Sequence, residues 1–340
     1  MKHINVALFA PHAGCPHQCS FCDQRTISGQ VTPLTPAAVH AAARKALATL
    51  PAETAAAGEL AFFGGSFTLL PQAEQIALLE AAHSYIKEGC FRGIRISTRP
   101  DGIDPAVCAL LQRCGVTAVE LGAQSMDDRV LALNRRGHTA AQTVQAHALL
   151  RQCGFETGLQ MMTGLYGSTD ADSRATAQAI CALQPDTVRI YPTVVLAGTP
   201  LAALMQAGQF QPQGLADAVA LCAELLQLFD AAGIRVIRVG LHASRDVETR
   251  MRGGAYHPAL RELAESRILL DRAREQLAGL PAGRYTLTVA PGSRSKMTGQ
   301  RRCNLQTLAA EGWHCAVQTR DGLGSYDVLL TQNEISDIRC

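Results

Sequence analysis

Three cysteines near the N-terminus are the residues best suited to chemistry in this chain of 340 residues. Cys15, Cys19 and Cys22 are separated by three and then two residues, so a single loop can bring their sulfurs around one inorganic centre. Thiolates are soft ligands that suit zinc or an iron-sulfur cluster. Three ligands would leave one iron of a cubane cluster open for a small molecule, whereas a structural zinc needs a fourth ligand, for which His12 and His17 are near enough in sequence. The spacing alone does not decide between a zinc ion and an iron-sulfur cluster.

The aromatic Phe21, directly before the third cysteine, makes this loop similar to the signature of the radical S-adenosylmethionine (SAM) enzymes. The resemblance implies that Cys15, Cys19 and Cys22 ligate three irons of a 4Fe-4S cluster, while the amino and carboxylate groups of SAM bind the fourth. It also implies that SAM is cleaved reductively to methionine and a 5′-deoxyadenosyl radical, which abstracts hydrogen from a substrate. A reductant such as flavodoxin or ferredoxin is the implied partner.

The composition is that of a soluble globular protein, with 47% hydrophobic residues, 18% charged residues and a formal net charge of +2. No apolar run approaches the roughly 20 residues of a membrane-spanning helix. The run Val6–Ala10 is far shorter than the apolar region of a secretory signal. We therefore expect a cytoplasmic protein with no membrane partner, and no pattern indicates its oligomeric state.

Short apolar runs alternate with longer amphipathic segments, which is typical of βα units and a parallel sheet. The predicted strands are Asn5–Ala10, Leu60–Phe63, Ile94–Ser97, Ala118–Leu121, Thr157–Met162, Val188–Tyr191 and Ile234–Val239. The predicted helices between them are Thr35–Leu50, Pro71–Lys87, Asp104–Cys114, Ala140–Cys153, Thr169–Leu183 and Gly214–Ala232. The sequence thus predicts an α/β fold: a partial or complete parallel (β/α) barrel of six or seven units over residues 1–240, with a small C-terminal α+β appendage over residues 241–340.

The loops that follow the strands carry the unusual residues, and ligands of parallel α/β folds gather at that end of the sheet. Gly64 and Gly65 follow the second strand. In radical SAM enzymes a glycine pair at this place lets the backbone approach the methionine amino group of SAM; the alternative is a tight strand-to-helix turn. Ser66 stands where the family often has an acidic residue, so backbone contacts are the ones expected here.

Gln124 and Arg136 lie in segments similar to the branch that contains oxygen-independent coproporphyrinogen oxidase and the catalytic subunit of Elongator. The resemblance implies that these two side chains contact the ribose and the carboxylate of SAM. An arginine fork matches a carboxylate bidentately, which makes that assignment chemically sensible. Arg135 is the alternative to Arg136, and a solvated arginine pair at a helix end is the structural alternative.

Gln160, on the predicted fifth strand, corresponds to a ribose-contacting polar residue in similar proteins. A buried amide among apolar neighbours needs a partner, which a ligand or the backbone would have to supply. Gly164 begins a segment, Gly164–Gly167, that resembles the turn beside the adenine of SAM. Both residues are therefore expected to bind the cofactor.

A segment late in the chain has a run of positive charge, with no acidic residue from Tyr285 to Ala310. Its four basic residues are Arg294, Lys296, Arg301 and Arg302. Such a run attracts a polyanion by counterion release. Together with the similarity to the Elongator subunit, it favours tRNA or another RNA as substrate. The alternatives are a solvated loop or a loop paired with an acid such as Glu311.

Two other functions fit the same residues. Similarity to coproporphyrinogen oxidase favours a tetrapyrrole or another small molecule, and a non-catalytic module could hold zinc or RNA. The acetyltransferase domain expected of an Elongator-type enzyme has no room in these residues. An iron content of about four per chain would exclude zinc, and RNA binding that depends on the basic segment would favour a nucleic acid.

Overall fold

The computed structural model describes residues 4–332 except 17 and 31, so His17, one of the two candidate zinc ligands, lies outside the described residues. The chain divides into two compact units. The first is bounded as Met1–Gly214 with Phe229–Tyr256, and the second as Leu215–Leu228 with His257–Cys340. The division between residues 240 and 241 stays a prediction.

Helices and strands alternate along the first unit as the sequence predicts. The strands are β1 (Asn5–Phe9), β2 (Glu59–Phe63), β3 (Gly93–Thr98), β4 (Val116–Gln124), β5 (Glu156–Thr163), β6 (Thr187–Pro192), β7 (Val194–Leu196), β8 (Arg235–Val239), β9 (Met251–Gly254), β10 (Gly283–Val289), β11 (Trp313–Thr319) and β12 (Val328–Gln332). The helices are α1 (Gln24–Ser28), α2 (Pro36–Thr49), α3 (Ala52–Ala56), α4 (Gln72–Lys87), α5 (Pro105–Arg113), α6 (Asp128–Leu133), α7 (Ala140–Gln152), α8 (Asp170–Leu183), α9 (Pro200–Gln206), α10 (Leu215–Ala231), α11 (Arg245–Arg250), α12 (Leu260–Leu277), α13 (Arg294–Thr298) and α14 (Cys303–Ala310). Among these residues no helix is both long and apolar enough to cross a membrane.

Seven strands form one sheet in the order β1-β2-β3-β4-β5-β6-β8, and every neighbouring pair is parallel. The sheet curls into a half-barrel. At its carboxyl end, the ring of Phe9 from β1 stacks on His242, just after β8, with ring centroids 6.1 Å apart. The two edge strands therefore approach each other at this rim. The predicted fold class is confirmed in its partial-barrel form.

Side-chain caps fix where the helices around the sheet begin. Thr35, Asp104, Thr139 and Thr169 each accept a hydrogen bond from a backbone N–H in the first turn of α2, α5, α7 and α8, respectively. At Thr139 and Thr169 the third helical residue reaches back to complete a capping box. Each cap satisfies an otherwise unpaired donor, which sets the point where the preceding loop turns into its helix.

A buried ionic network links five strands of the sheet. Arg95 on β3 donates from Nε to Glu59 on β2 and from Nη2 to Glu156 on β5, both at 2.7 Å, and its Nη1 lies 3.5 Å from Glu120 on β4. Arg189 on β6 then binds the same Glu120 at 2.6 Å. The side chains of Arg95, Glu59 and Glu120 are at most 1% exposed. Each charge is therefore compensated inside the sheet, where an unpaired charge would be costly.

The second unit contains a three-stranded sheet of order β11-β10-β12, in which β10 pairs parallel to β11 and antiparallel to β12. Leu269 and Leu277 of α12 pack in one apolar core with Tyr285 and Leu287 of β10. The apolar face of α12 thus covers the sheet, as expected for a small α+β unit.

We expect Arg95→Met to lower the free energy of unfolding by about 3–5 kcal/mol, because it removes the fully buried cation that three carboxylates share. Arg92→Met is the matched control, since Arg92 contacts the same Glu59 and Glu156 but has a side chain that is 45% exposed. Its loss should cost less than about 1 kcal/mol. Chemical denaturation of the full chain measures both values, and equal losses would contradict the role assigned to burial.

Candidate functional site

A cavity of about 530 Å³ lies at the carboxyl end of the half-barrel. Nine of the residues singled out in the sequence line it: Cys15, Cys19, Phe21, Cys22, Gly64, Gly65, Gln124, Arg136 and Gln160. Gly164 is not among the lining residues; it forms a left-handed turn after β5, where a Cβ atom would meet the side chain of Gln213. The cysteine loop, the glycine pair and both polar side chains of β4 and β5 therefore share one cavity.

The side chain of Gln24 ties the cysteine loop to the loop after β2. Its Oε1 accepts hydrogen bonds from the backbone N–H groups of His12 and Gly65, each at 2.6 Å. The backbone N–H of Gln24 donates in turn to Nε2 of His12 at 3.0 Å. A further backbone bond runs from the Ser66 N–H to the Ala13 carbonyl at 2.8 Å. These bonds hold the two loops in fixed register.

Glycine is required where the two loops touch. Gly65 has φ +64, and a Cβ atom there would lie 2.1 Å from the Ala13 carbonyl oxygen. On the opposite side, a Cβ atom at Gly14 would lie 2.3 Å from the carbonyl oxygen of Ser66. Any larger side chain would push the loops apart, so Gly65 has a steric role in addition to its predicted one.

The three thiols of the cysteine loop are free, as are the other described cysteines. The Sγ atom of Cys19 accepts a hydrogen bond from Nη1 of Arg136 at 3.1 Å, and Sγ of Cys15 lies 3.7 Å from Oγ of Ser66. Burial raises the pKa of the Cys15 thiol, although the Ser66 hydroxyl opposes that effect. Burial also raises the pKa of Cys22. The guanidinium beside Cys19 suits a sulfur that carries negative charge.

The donor set of these thiols fits an iron-sulfur cluster, whose irons take soft thiolate ligands. In the part of the chain described, no group of three or more His, Cys, Asp or Glu side chains is close enough to hold a single metal ion. Nε2 of His12 is also engaged by the backbone of Gln24. Each cysteine of a cubane cluster binds a different iron, so its ligands lie farther apart than the four ligands of one zinc.

Arg136 faces the cavity and Arg135 does not. Arg136 is 7% exposed and donates from Nη2 to the carbonyl oxygen of Gly122 at 2.7 Å, whereas the side chain of Arg135 is exposed.

Burial, followed by the charges of Arg136 and Arg99, lowers the pKa of the nearby His138 to about 4. That histidine is therefore neutral at physiological pH.

Gln124 ends β4 in a left-handed conformation, with φ +66. The register between β4 and β5 shifts just before it, and the side chain is only 9% exposed. A residue other than glycine in this region costs about 1–3 kcal/mol, and such strain is concentrated at functional sites. Gln124 is thus held in a strained backbone geometry at the cavity wall.

Gln160 connects the cavity wall to the buried ionic network. Its Nε2 donates to Glu120 at 2.9 Å and to the Ser97 hydroxyl at 3.4 Å. The Gln160 amide, which was expected to need a hydrogen-bond partner, therefore has its partners within the protein. Because the same Glu120 also binds Arg189, one buried carboxylate orients two cavity-lining side chains.

The sequence did not single out several other residues that line the cavity. Besides Arg136, the lining includes Arg99, Arg189 and Arg238, and none of the described lining residues is an aspartate or glutamate. Two of these arginines have carboxylate partners outside the lining, since Arg99 binds Asp101 through two bonds of 2.8 Å and Arg189 binds Glu120. The cavity is therefore positively charged. Arg99 lies in the loop after the predicted strand Ile94–Ser97, where ligand contacts are expected, whereas Arg189 and Arg238 have no motif around them.

The four basic residues of the late segment belong to the second unit. The side chains of Arg294, Arg301 and Arg302 are exposed, and the last two have left-handed backbones with φ 52 and 65. The Nζ atom of Lys296 instead lies 2.7 Å from Oε2 of the buried Glu265. Glu311, the acid considered from the sequence, pairs with Arg274. Three of the four predicted cations thus project to the surface, and Lys296 is neutralised.

Gly65→Ala should destabilise the chain more than Gly89→Ala. Both glycines have positive φ, at +64 and +73, so both variants place a Cβ atom on a left-handed backbone at a cost of about 1–2 kcal/mol. Only at Gly65 would that atom collide with backbone, because nothing lies within 4 Å of the position at Gly89. We expect an additional loss of about 1–3 kcal/mol at Gly65, as for overpacked sites. Denaturant titration tests this difference, and equal losses would contradict the close approach of the two loops.

Comparison with known proteins identifies the chain's relatives. The radical SAM superfamily matches residues 10–180, and the radical SAM C-terminal domain matches residues 185–269. A tRNA uridine(34) acetyltransferase of Dehalococcoides mccartyi is 30% identical over 183 residues, which is 52% of this chain and 39% of that protein. Elongator complex protein 3 of Mus musculus is 28% identical over 231 residues, which is 62% of this chain and 41% of that protein. The chain thus spans about two-fifths of the length of these relatives.

A solved structure has the same fold. Elp3 of the archaeon Methanocaldococcus infernus aligns with a TM-score of 0.63 and 22% identity, over 81% of this chain and 63% of that chain. The superfamily match spans half of the sequence and contains the cysteine loop, the glycine pair and β2 to β5, whose ends contribute to the cavity. The chain therefore belongs to the radical SAM superfamily, and it is an enzyme.

Proposed function

We propose that the chain binds a 4Fe-4S cluster through Cys15, Cys19 and Cys22, binds SAM in the adjoining cavity, and abstracts hydrogen from an RNA substrate. The observation that carries this proposal is the convergence of the three thiols on one cavity with the glycine pair and a buried arginine. When bound, the cluster supplies the electron for reductive cleavage of SAM. The alternatives, a tetrapyrrole substrate or a zinc-binding module, have no comparable observation in their favour.

The residues around the thiols divide the binding of SAM among them. Gly64 and Gly65 give the backbone close access to the amino group, and Arg136 pairs with the carboxylate. Arg136 already donates to the Cys19 sulfur at 3.1 Å, and this contact with a proposed cluster ligand supports a role for Arg136 beside the cluster. Gln124 and Gln160 supply amides for the ribose. Gly164, outside the cavity lining, would act only by shaping the turn after β5.

The remaining wall of the cavity protects a reactive species from water. Apolar and aromatic side chains such as Phe9, Phe63 and Met162 line it. Excluding water from such a site prevents side reactions and strengthens electrostatic contacts within it. Electrons would come from a protein such as flavodoxin or ferredoxin, and the free thiols of the described cysteines suit a reducing compartment such as the cytoplasm.

RNA is the proposed substrate for two reasons. The first is that the relatives include proteins named as tRNA uridine(34) acetyltransferases. The second is the exposed positive charge of Arg294, Arg301 and Arg302 on the second unit. These arginines would contact phosphates, which position RNA without reading its sequence. We omit Lys296 from this set because Glu265 neutralises it.

Alanine variants of Cys15, Cys19 and Cys22 should each lose most of their iron after anaerobic reconstitution, because each removes one cluster ligand. Cys90→Ala is the control, since Cys90 is also a partly buried free thiol but lies outside the loop. Iron analysis and visible absorption measure the result. An iron content equal to that of the wild type in any of the three loop variants would disprove that ligand, and stoichiometric zinc in place of iron would favour the zinc-binding module.

Arg136→Ala should weaken SAM binding about ten- to a hundredfold, as expected for one charge-assisted contact of about 1.5–3 kcal/mol. Arg135→Ala should leave the affinity unchanged, because that side chain is exposed. Arg136→Lys, which keeps the charge but loses the fork, should be intermediate. Calorimetry on the fraction of protein that carries a cluster separates SAM binding from cluster loss. Unchanged SAM affinity in Arg136→Ala would remove Arg136 from the site.

Neutralising Arg294, Arg301 and Arg302 together should weaken tRNA binding and flatten its dependence on salt. Each lost phosphate contact should reduce the log-log slope by about one unit. Lys296→Gln is the control and should change the slope little, because Lys296 is paired with Glu265. Filter binding at several salt concentrations provides the measurement. Identical slopes for the triple variant and the wild type would contradict an RNA contact at this segment.

A further inference from the structure

A second group of cavity-lining residues comes from the ends of β1, β2, β6 and β8. We call it the aromatic-arginine wall; its members are Phe9, Phe63, Arg189, Tyr191, Arg238 and His242. None of these residues belongs to the cysteine loop or to the set proposed to bind SAM. Since the cavity must hold a substrate as well as SAM, these side chains are available to bind the substrate.

The rings of the wall lie next to one another. The centroids of Phe9 and Phe63 are 6.2 Å apart with the rings tilted by 43°, and His242 stacks on Phe9 at 6.1 Å with an interplanar angle of 29°. The guanidinium carbon of Arg189 lies 4.9 Å from the centroid of Phe63, over its face. Grouped aromatic side chains bind nucleobases by stacking, with a contribution from arginine.

The charge of the wall is concentrated in one unpaired cation. Arg189 is neutralised by Glu120, to which it donates two hydrogen bonds of 2.6 and 2.8 Å. Arg238 makes one hydrogen bond in the described structure, from Nε to the carbonyl oxygen of Gly240 at 2.9 Å. No described carboxylate pairs with Arg238, and no carboxylate is among the described residues that line the cavity.

The cost of this arrangement points to an anionic ligand. Arg238 is partly buried, and burial lowers its pKa; the charge of Arg189 acts in the same direction, whereas Tyr191 and Tyr256 oppose it. A desolvated cation without a counter-ion is unfavourable. The two Nη atoms of Arg238 present the fork that matches a phosphate bidentately.

We propose that Arg238 binds a phosphate group of the substrate, and that the substrate is a nucleotide whose base stacks on the rings of Phe9, Phe63 and His242. This inference rests on the proposed function and specifies which part of the RNA enters the cavity. A carboxylate of a tetrapyrrole would also pair with an arginine, but the combination of one anion site with a small stacking surface fits a nucleotide.

The test compares ligands with and without phosphate on matched variants. The probes are the four ribonucleoside 5′-monophosphates and the corresponding nucleosides, titrated by calorimetry into the full reconstituted chain with SAM present. We expect at least one monophosphate to bind the wild type more tightly than its nucleoside. Arg238→Ala should weaken that monophosphate about ten- to a hundredfold and leave the nucleoside unchanged. Arg238→Lys should be intermediate.

Arg235→Ala is the control, because Arg235 lies on the same strand with an exposed side chain 3.7 Å from Glu156. Equal affinity of the monophosphate for wild type and Arg238→Ala would overturn the inference, as would an equal loss in Arg235→Ala. If Arg238→Ala weakened the binding of coproporphyrin III but left the binding of every nucleotide unchanged, the nucleotide assignment would be overturned. A tetrapyrrole substrate would then be favoured.

The failure of this inference is distinguishable from failure of the proposed function. Iron content and SAM affinity are measured on the same wild-type preparation before the nucleotides are added. If the chain holds the cluster and binds SAM but binds monophosphates no more tightly than nucleosides, only the assignment of Arg238 is overturned. A chain that holds neither cluster nor SAM would overturn the proposed function itself.

Discussion

The buried ionic network is the constraint on which the cavity depends. Its charged side chains come from five neighbouring strands: three acids, Glu59, Glu120 and Glu156, and two bases, Arg95 and Arg189. Because each acid is paired with an arginine, the buried carboxylates Glu59 and Glu120 keep their positions without solvent. Glu120 extends this order to the cavity, where it holds Gln160 and Arg189. Relative strand positions and the orientation of cavity side chains therefore have a common cause.

The cysteine loop depends on a different set of contacts, made mostly by backbone. Gln24 joins it to Gly65, and the Ser66–Ala13 bond holds the same two loops together. A loop without regular secondary structure is usually mobile, but here glycine permits such close contact that the two loops support each other. Preorganised ligands lower the entropic cost of binding, which applies to a cluster as well as to a small molecule.

Much of the fold and part of the site could be predicted from sequence. The seven strands of the sheet were identified within three residues at each end, because buried apolar runs between amphipathic helices give a strong signal. Short elements such as α1, α6 and β7 were missed, since three to six residues are too few to show periodicity. The cysteine loop, the glycine pair and Gln124 carry family motifs, and they do line one cavity.

Other parts of the site depend on contacts that no local pattern encodes. Lys296 looks like one of four equivalent cations until the fold places Glu265 of α12 beside it. Arg238 and His242 lack a motif, and they reach the cavity only because the sheet curls until the end of β8 meets the end of β1. The sequence could not tell which of Arg135 and Arg136 is buried, because the two side chains are chemically identical. Only the fold shows that Arg136 is buried and Arg135 is exposed.

The incomplete closure of the barrel has a consequence for how its open side is held. In the described structure β1 and β8 are the two ends of the sheet and share no hydrogen-bonded ladder, although Phe9 and His242 touch at the rim. A closed barrel fixes its width by backbone hydrogen bonds all the way round. Here the two edge strands meet through a pair of stacked rings, and side-chain contacts can rearrange without breaking a ladder. The width of the cavity on this side is therefore set by side-chain packing, which makes it the adjustable side of the half-barrel.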